Sequence, residues 1–381
     1  MVRVTECRAF EPLFPPEFVE RLPPYKPARS AWVVWLLKSG NPVALRLARQ
    51  IDGWFAGHSG ANRDVLRSRL RSEDDSTYLS AFFELVMHEF SVRRWGQPKV
   101  EPASEDANHR ARLDFTVPAP RPFRLEVATI FPPEDVERRR KIIDDLLDVI
   151  NPIPTPVRLE VVFHRVDDYE SARNKEKLRS DLVRWLVDGD PRARNKQYAY
   201  SSDNVELRVA ALPLPRGTAG AVLMSMPPVQ SRAGSTQARR CLQKKVQQYA
   251  RAAGQGRYVV GICNGGDVGL SRDLVGFELY GTPTLVFDPA ALDKPPRAGR
   301  TRGLFVPERN TRISAVLYCN IEFARDDVLF PMCVMHNPFA KHCIPRPTFK
   351  GLPQFVPVHH RDGSISMKWI NKTAPPIRLE G

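Results

Sequence analysis

Two carboxylates have the type and spacing to hold a cation between them. Asp114 lies in the run Arg112-Leu-Asp-Phe-Thr-Val117, and Glu126 lies in Phe123-Arg-Leu-Glu-Val-Ala-Thr-Ile130. Both runs alternate apolar and polar residues, the period of a half-buried strand. The link Pro118-Ala-Pro-Arg-Pro122 is short and turn-like. Closing the hairpin with Val117 opposite Phe123 sets Phe115 against Leu125 and Asp114 against Glu126. Directly opposed side chains have Cβ atoms about 4.5–5.5 Å apart, and like charges there repel. A divalent cation would offset that cost, because hard cations such as magnesium or manganese take oxygen ligands. The alternative is a solvated ladder in which Arg112 and Arg124, on the same face, neutralise the pair.

The surrounding pattern must position these groups. A strong helix is expected over 76–92, capped by Ser76 or Thr77, with Leu79, Phe82, Phe83, Val86 and Phe90 at helical spacing. Glu84 falls inside that apolar stretch. A carboxylate there is rarely buried unless paired, so it either joins the site or bonds a nearby Arg. His88, one turn further on, reads as packing. After the hairpin come a helix at about 134–150, a strand at 157–163, a helix at 173–187 and a strand at 205–212. A loop at 213–235, a basic helix at 236–252, a strand at 258–262, a short helix at 274–280 and a strand at 312–318 follow. Residues 31–72 read as two short helices, and the Pro- and His-rich last sixty residues read as irregular. Such alternation indicates an α/β layer with a mixed sheet.

The chain has 381 residues and a formal charge of +14, enough for a sizeable core and more than one domain. The basic excess favours an anionic partner, most often nucleic acid. The apolar run Ala31-Trp-Val-Val-Trp-Leu-Leu37 is too short to span a bilayer. No signal peptide is expected. Six scattered cysteines without a CxxC suit a reducing compartment, so a cytoplasmic location is expected. Cys333, His336, His342 and Cys343 have zinc-ligand chemistry, but their spacing matches no usual structural site.

A helix carrying Glu84, a hairpin carrying Asp114 and then Glu126, and a following helix and strand resemble the restriction-endonuclease-like core of the PD-(D/E)xK nuclease superfamily. Ala81-Phe-Phe-Glu-Leu-Val-Met-His-Glu-Phe90, with Leu113-Asp-Phe115 and Leu125-Glu-Val-Ala128, looks like an uncharacterised bacterial branch lacking the motif Lys. The resemblance covers roughly residues 76–165. It implies an α/β fold: a restriction-endonuclease-like core with a mixed central sheet flanked by helices, plus N-terminal helical and C-terminal extensions. The expected division is residues 1–75 as arm and helices, 76–190 as core, 191–330 as a continuation or second subdomain, and 331–381 as an irregular tail.

The resemblance also implies that Asp114 and Glu126 hold Mg2+ or Mn2+, with Glu84 acting through a water. It implies hydrolysis or binding of nucleic acid, DNA before RNA, with no membrane partner. A homodimer or a defence or repair complex fits the superfamily. Two departures stand out: Leu113 replaces the motif proline, and Ala128 stands where the motif has Lys. Arg112, across from Ala128, and Lys141, on the next helix, are the candidates to replace that Lys. Otherwise the site is inactive, and the chain is a nucleic-acid-binding or interaction protein that keeps the fold. Arg239, Arg240, Lys244 and Lys245 on the basic helix are the candidate phosphate contacts, or else a solvated face.

Overall fold

The computed structural model describes residues 12–26, 30–58, 62–100, 115–153, 155, 157–188, 197–212, 222–225, 238–245, 256–265, 270–286, 297–308, 310–324 and 327–379. Its first part is helical: α1 (Pro16–Arg21), α2 (Trp32–Lys38), α3 (Pro42–Gly57), α4 (Arg63–Leu70) and α5 (Asp75–Trp95). Asn41 caps α3, its Oδ1 accepting from Val43 N at 2.8 Å, with Pro42 at the first helical position. Asp74 caps α5 by accepting from Thr77 N at 2.8 Å. The helix therefore starts one residue before the expected Ser76, because a carboxylate reaches the orphan amide of its first turn.

The strands follow. They are β1 (Lys99–Val100), β2 (Phe115–Val117) and β3 (Phe123–Ile130). Helix α6 (Glu134–Ile150), β4 (Arg158–Val166), α7 (Ala172–Val187), β5 (Gln197–Ser201), β6 (Val205–Leu212) and β7 (Val222–Ser225) come next. A helix at 238–245, here α8, leads to β8 (Arg257–Asn264) and α9 (Arg272–Tyr280). The hairpin β9 (Pro283–Val286) and β10 (Arg297–Arg300) precedes β11 (Ala315–Cys319). After the small ladder β12 (Glu322–Phe323) and β13 (Val328–Leu329) come β14 (Met332–His336), β15 (Gln354–His359) and β16 (Ile365–Ile370).

Eight strands form one mixed sheet in the order β1-β2-β3-β8-β11-β14-β15-β16. β3, β8 and β11 run parallel at its centre. Antiparallel β2 and β14 flank them. Alternation along these strands divides the core by face. Leu125, Val259, Leu317 and Val334 pack with Phe82, Phe83 and Leu85 of α5 and with α2 and α3. Ala128, Tyr258, Val260, Ile262 and Val316 face the other way, against Ala238 and Leu242 of α8 and Val275 and Leu279 of α9. Helix α5 is apolar nearly all round because α2 to α4 cover the side that does not meet the sheet.

The last fifty residues are not an irregular tail. They supply β14, β15 and β16. Pro357 is accommodated because β15 pairs with β14 only through Gln354 and Phe355, so its missing N–H falls beyond that ladder.

The chain divides into two compact units, Met1–Phe131 with Gly234–Gly381, and Pro132–Ala233. The boundary lies at 132 and not at 190 because α6 does not belong to the eight-stranded sheet. Its Ile143, Leu146 and Ile150 share a separate core with Leu159 and Phe163 of β4 and Leu178 and Leu182 of α7. That unit has its own four-stranded sheet, β5-β6-β4-β7.

Candidate carboxylate–lysine site

The hairpin has the register expected from its alternation. Val117 pairs with Phe123, Thr116 with Arg124, and Phe115 with Leu125. Asp114 and Arg112 lie outside the described residues.

Glu126 occupies the middle of β3 and is 1% exposed. Its neighbours Leu125 and Val127 turn towards α5. Glu126 and Ala128 therefore share the opposite face, where Tyr258 and α8 pack. Tyr258 donates its hydroxyl to Glu126 Oε2 at 2.6 Å, and Lys245 donates Nζ to Glu126 Oε1. Two charge-assisted bonds reach one buried carboxylate. They offset the several kcal/mol that its desolvation costs. The Lys245 side chain is 24% exposed, against 1% for that of Glu126.

Cys241, one turn before Lys245, senses the same pair. Burial raises its thiol pKa, Lys245 and Lys244 pull it down, and Glu126 adds to the rise. The net upward shift keeps the thiol protonated, which argues against a cysteine nucleophile.

Glu84 is held elsewhere. Arg69 Nη1 donates to its Oε2 at 2.6 Å. Helix α5 packs on the Leu125 face of the sheet, so the structure does not bring Glu84 and Glu126 to one face. Beside Glu84 lie two buried imidazoles, His58 and His88, with ring centroids 4.6 Å apart. Gln97 Nε2 lies 3.0 Å from His88 Nε2. Burial, reinforced by the facing His58, pushes the His88 pKa down to about 3. His58 is also lowered, chiefly by burial, with Asn62 and Glu84 opposing and Arg63 adding.

The basic helix does not present one uniform face. Arg239 pairs with Glu278 at 3.3 Å, and Lys245 turns in to Glu126. Arg240 and Lys244 are exposed. Lys141 is exposed on α6, in the separate unit.

Among the described residues no three His, Cys, Asp or Glu side chains gather to hold a metal. Glu126 is the one implied magnesium ligand on the Tyr258 face that is described, and both its oxygens are already engaged. The described donors thus do not by themselves fit a magnesium ion, and no step is derived through one. Comparison with protein-family models, curated proteins and solved structures returns no significant match to this chain.

The sequence reading placed Lys245 among phosphate contacts and missed its bond to Glu126. The signal was the spacing of Lys245 from Cys241 and Leu242, which faces it inward while Lys244 faces out.

Proposed function

We propose that the chain is a nuclease-like protein acting on the phosphodiester backbone of DNA, with Lys245 supplying the ammonium that Ala128 lacks. The observation that carries this reading is the bond from Lys245 to Glu126, on the face Glu126 shares with Ala128. The order of elements supports it. The helix and strand that the resemblance took from residues 134–163 belong to the separate unit; with that unit set aside, α5, the β2–β3 hairpin, α8 and β8, parallel to β3, keep the order helix, hairpin, helix, strand. The unit Pro132–Ala233 is inserted between hairpin and helix.

In this reading Lys245 stabilises negative charge developing on the phosphate. Glu126 orients that ammonium through the bond to its Oε1.

A second reading is favoured by the closure of Glu126 under Lys245 and Tyr258. Here the pair is structural, and the chain binds DNA without cleaving it. Incubation with plasmid and linear DNA in magnesium or manganese separates the two. Hydrolysis by the native chain, lost in Glu126→Gln and in Asp114→Asn, supports the enzyme. Retarded but intact DNA, unchanged in both variants, supports the binder. Neither cleavage nor retardation would sink both.

A further inference from the structure

The C-terminal end of α5, the β2–β3 turn and two C-terminal segments enclose a cleft of about 1310 Å3. It lies on the α5 side of the sheet and shares no residue with the Glu126 site. Every charged side chain on its wall is cationic: Arg93, Arg94, Arg121, Lys350 and Arg378. Arg93 is held by Glu89 at 2.6 Å and Arg378 by Asp327 at 3.3 Å. Arg94 is anchored on the carbonyls of Thr348 and Lys350. Arg121 and Lys350 are exposed and have no ion-pair partner among the described residues. Two cations are therefore free to take an anionic ligand, and a third is fixed beside them.

The apolar part of the wall decides between kinds of anion. Grooves for single-stranded nucleic acid combine cations with aromatic platforms on which bases stack. The indole of this cleft is committed elsewhere. Trp95 donates Nε1–H to the Thr348 carbonyl at 3.2 Å. Its ring meets Phe90, Phe123 and Phe349 at centroid distances of 5.3, 5.3 and 5.5 Å, and Arg94 lies 5.5 Å over it. The other aromatic residue of the wall, Phe90, is buried edge-on against Trp95 and offers no open ring face; the remaining apolar wall is proline and aliphatic, including Pro118, Pro120, Pro347 and Leu352. The volume also exceeds the roughly 300–1,000 Å3 typical of a pocket for one small molecule.

We propose that this cleft docks an extended acidic peptide segment of a partner protein, one that alternates carboxylates with aliphatic side chains. Carboxylates would meet Arg121, Lys350 and Arg94, with bidentate geometry available at the arginines. Aliphatic side chains would lie against the prolines and Leu352. The inference does not depend on the activity proposed for Glu126.

The test is fluorescence anisotropy of a labelled peptide of repeating Glu-Leu-Glu-Pro with the full chain at low salt. Binding is expected to be saturable and to weaken at least about tenfold in Arg121→Glu/Lys350→Glu, since like charges facing across an interface repel. Both positions are exposed, so the variant should keep the native unfolding curve. Arg361→Glu, on an exposed turn away from the cleft, should leave affinity unchanged. Absence of peptide binding, or an equal loss in Arg361→Glu, overturns the proposal. So does displacement of the peptide by oligodeoxythymidine at a lower concentration than by unlabelled peptide, which would assign the cleft to nucleic acid.

Discussion

Lys245 on α8 and Glu126 on β3 are 119 residues apart in sequence and bonded in the fold, with the carboxylate buried and the lysine side chain partly exposed. Removing one partner of such a pair leaves an uncompensated buried charge, which costs about 3–5 kcal/mol. Lys245→Met should therefore lower the urea unfolding free energy by that order. Glu126→Gln/Lys245→Met should recover much of the loss. Additive losses in a double-mutant cycle would mean that the pair is not coupled in solution.

The buried imidazoles predict acid lability. His88 has its folded-state pKa pushed down to about 3 by burial and by His58, against about 6.5 in an unfolded chain. Its contribution to stability is complete above the unfolded value and is lost as the pH falls towards the folded one. For this group alone the loss at pH 4 is about 3 kcal/mol, and His58 acts in the same direction. Urea midpoints measured from pH 7 down to pH 4 should fall steeply in the native chain and less steeply in His88→Gln. Equal slopes would show that other groups dominate the acid response.

Gly281 ends α9 at φ 87°, and a Cβ there would lie 1.7 Å from the Thr301 carbonyl oxygen. The obstacle is backbone, so it does not rotate away. Gly281→Ala should cost more than about 1 kcal/mol from conformation alone, with the clash added, and should lower the thermal midpoint clearly. Gly276→Ala, on the same helix with open space around it, should be neutral or stabilising.

The two outward cations of α8 should contribute salt-dependent DNA binding. For duplex DNA each phosphate contact adds about 0.9 to the slope of log affinity against log salt. Arg240→Ala/Lys244→Ala should reduce the slope by about twice that amount. Arg239→Ala should change it less, because Arg239 is already paired with Glu278. An unchanged slope in the double variant removes this face from the DNA contact.

The hairpin register was legible because period-two alternation and a short turn leave few alternatives: Phe115 opposite Leu125 follows from the pattern alone. Helix α6 and strand β6 were legible for the same kind of reason, each ending where its periodicity ends, whereas residues 31–72, expected as two short helices, form the three helices α2, α3 and α4. The partner of Glu126 was not. An inserted unit separates β3 from α8, and nothing local in α6 says that it packs on another core, so Lys141 looked like the nearest available cation. Glu84 shows the complementary difficulty. An acid inside an apolar helix reads equally as a ligand or as the partner of an arginine, and only the position of Arg69 on α4 distinguishes them. The strands β15 and β16 were hidden by Pro357 and by polar alternation that resembles a loop.

The proposed activity requires Lys245 to act as the lysine of the Glu126 site. Its most direct test is the rate of DNA cleavage in magnesium by the native chain, Lys245→Met and Lys245→Arg, each confirmed folded by its urea midpoint under assay conditions. Cleavage by the native chain is expected, with a loss of about a hundredfold or more in Lys245→Met, as for removal of one donor to a developing oxyanion, and partial recovery in Lys245→Arg. Cleavage undiminished in folded Lys245→Met, or no cleavage by the native chain, would contradict it.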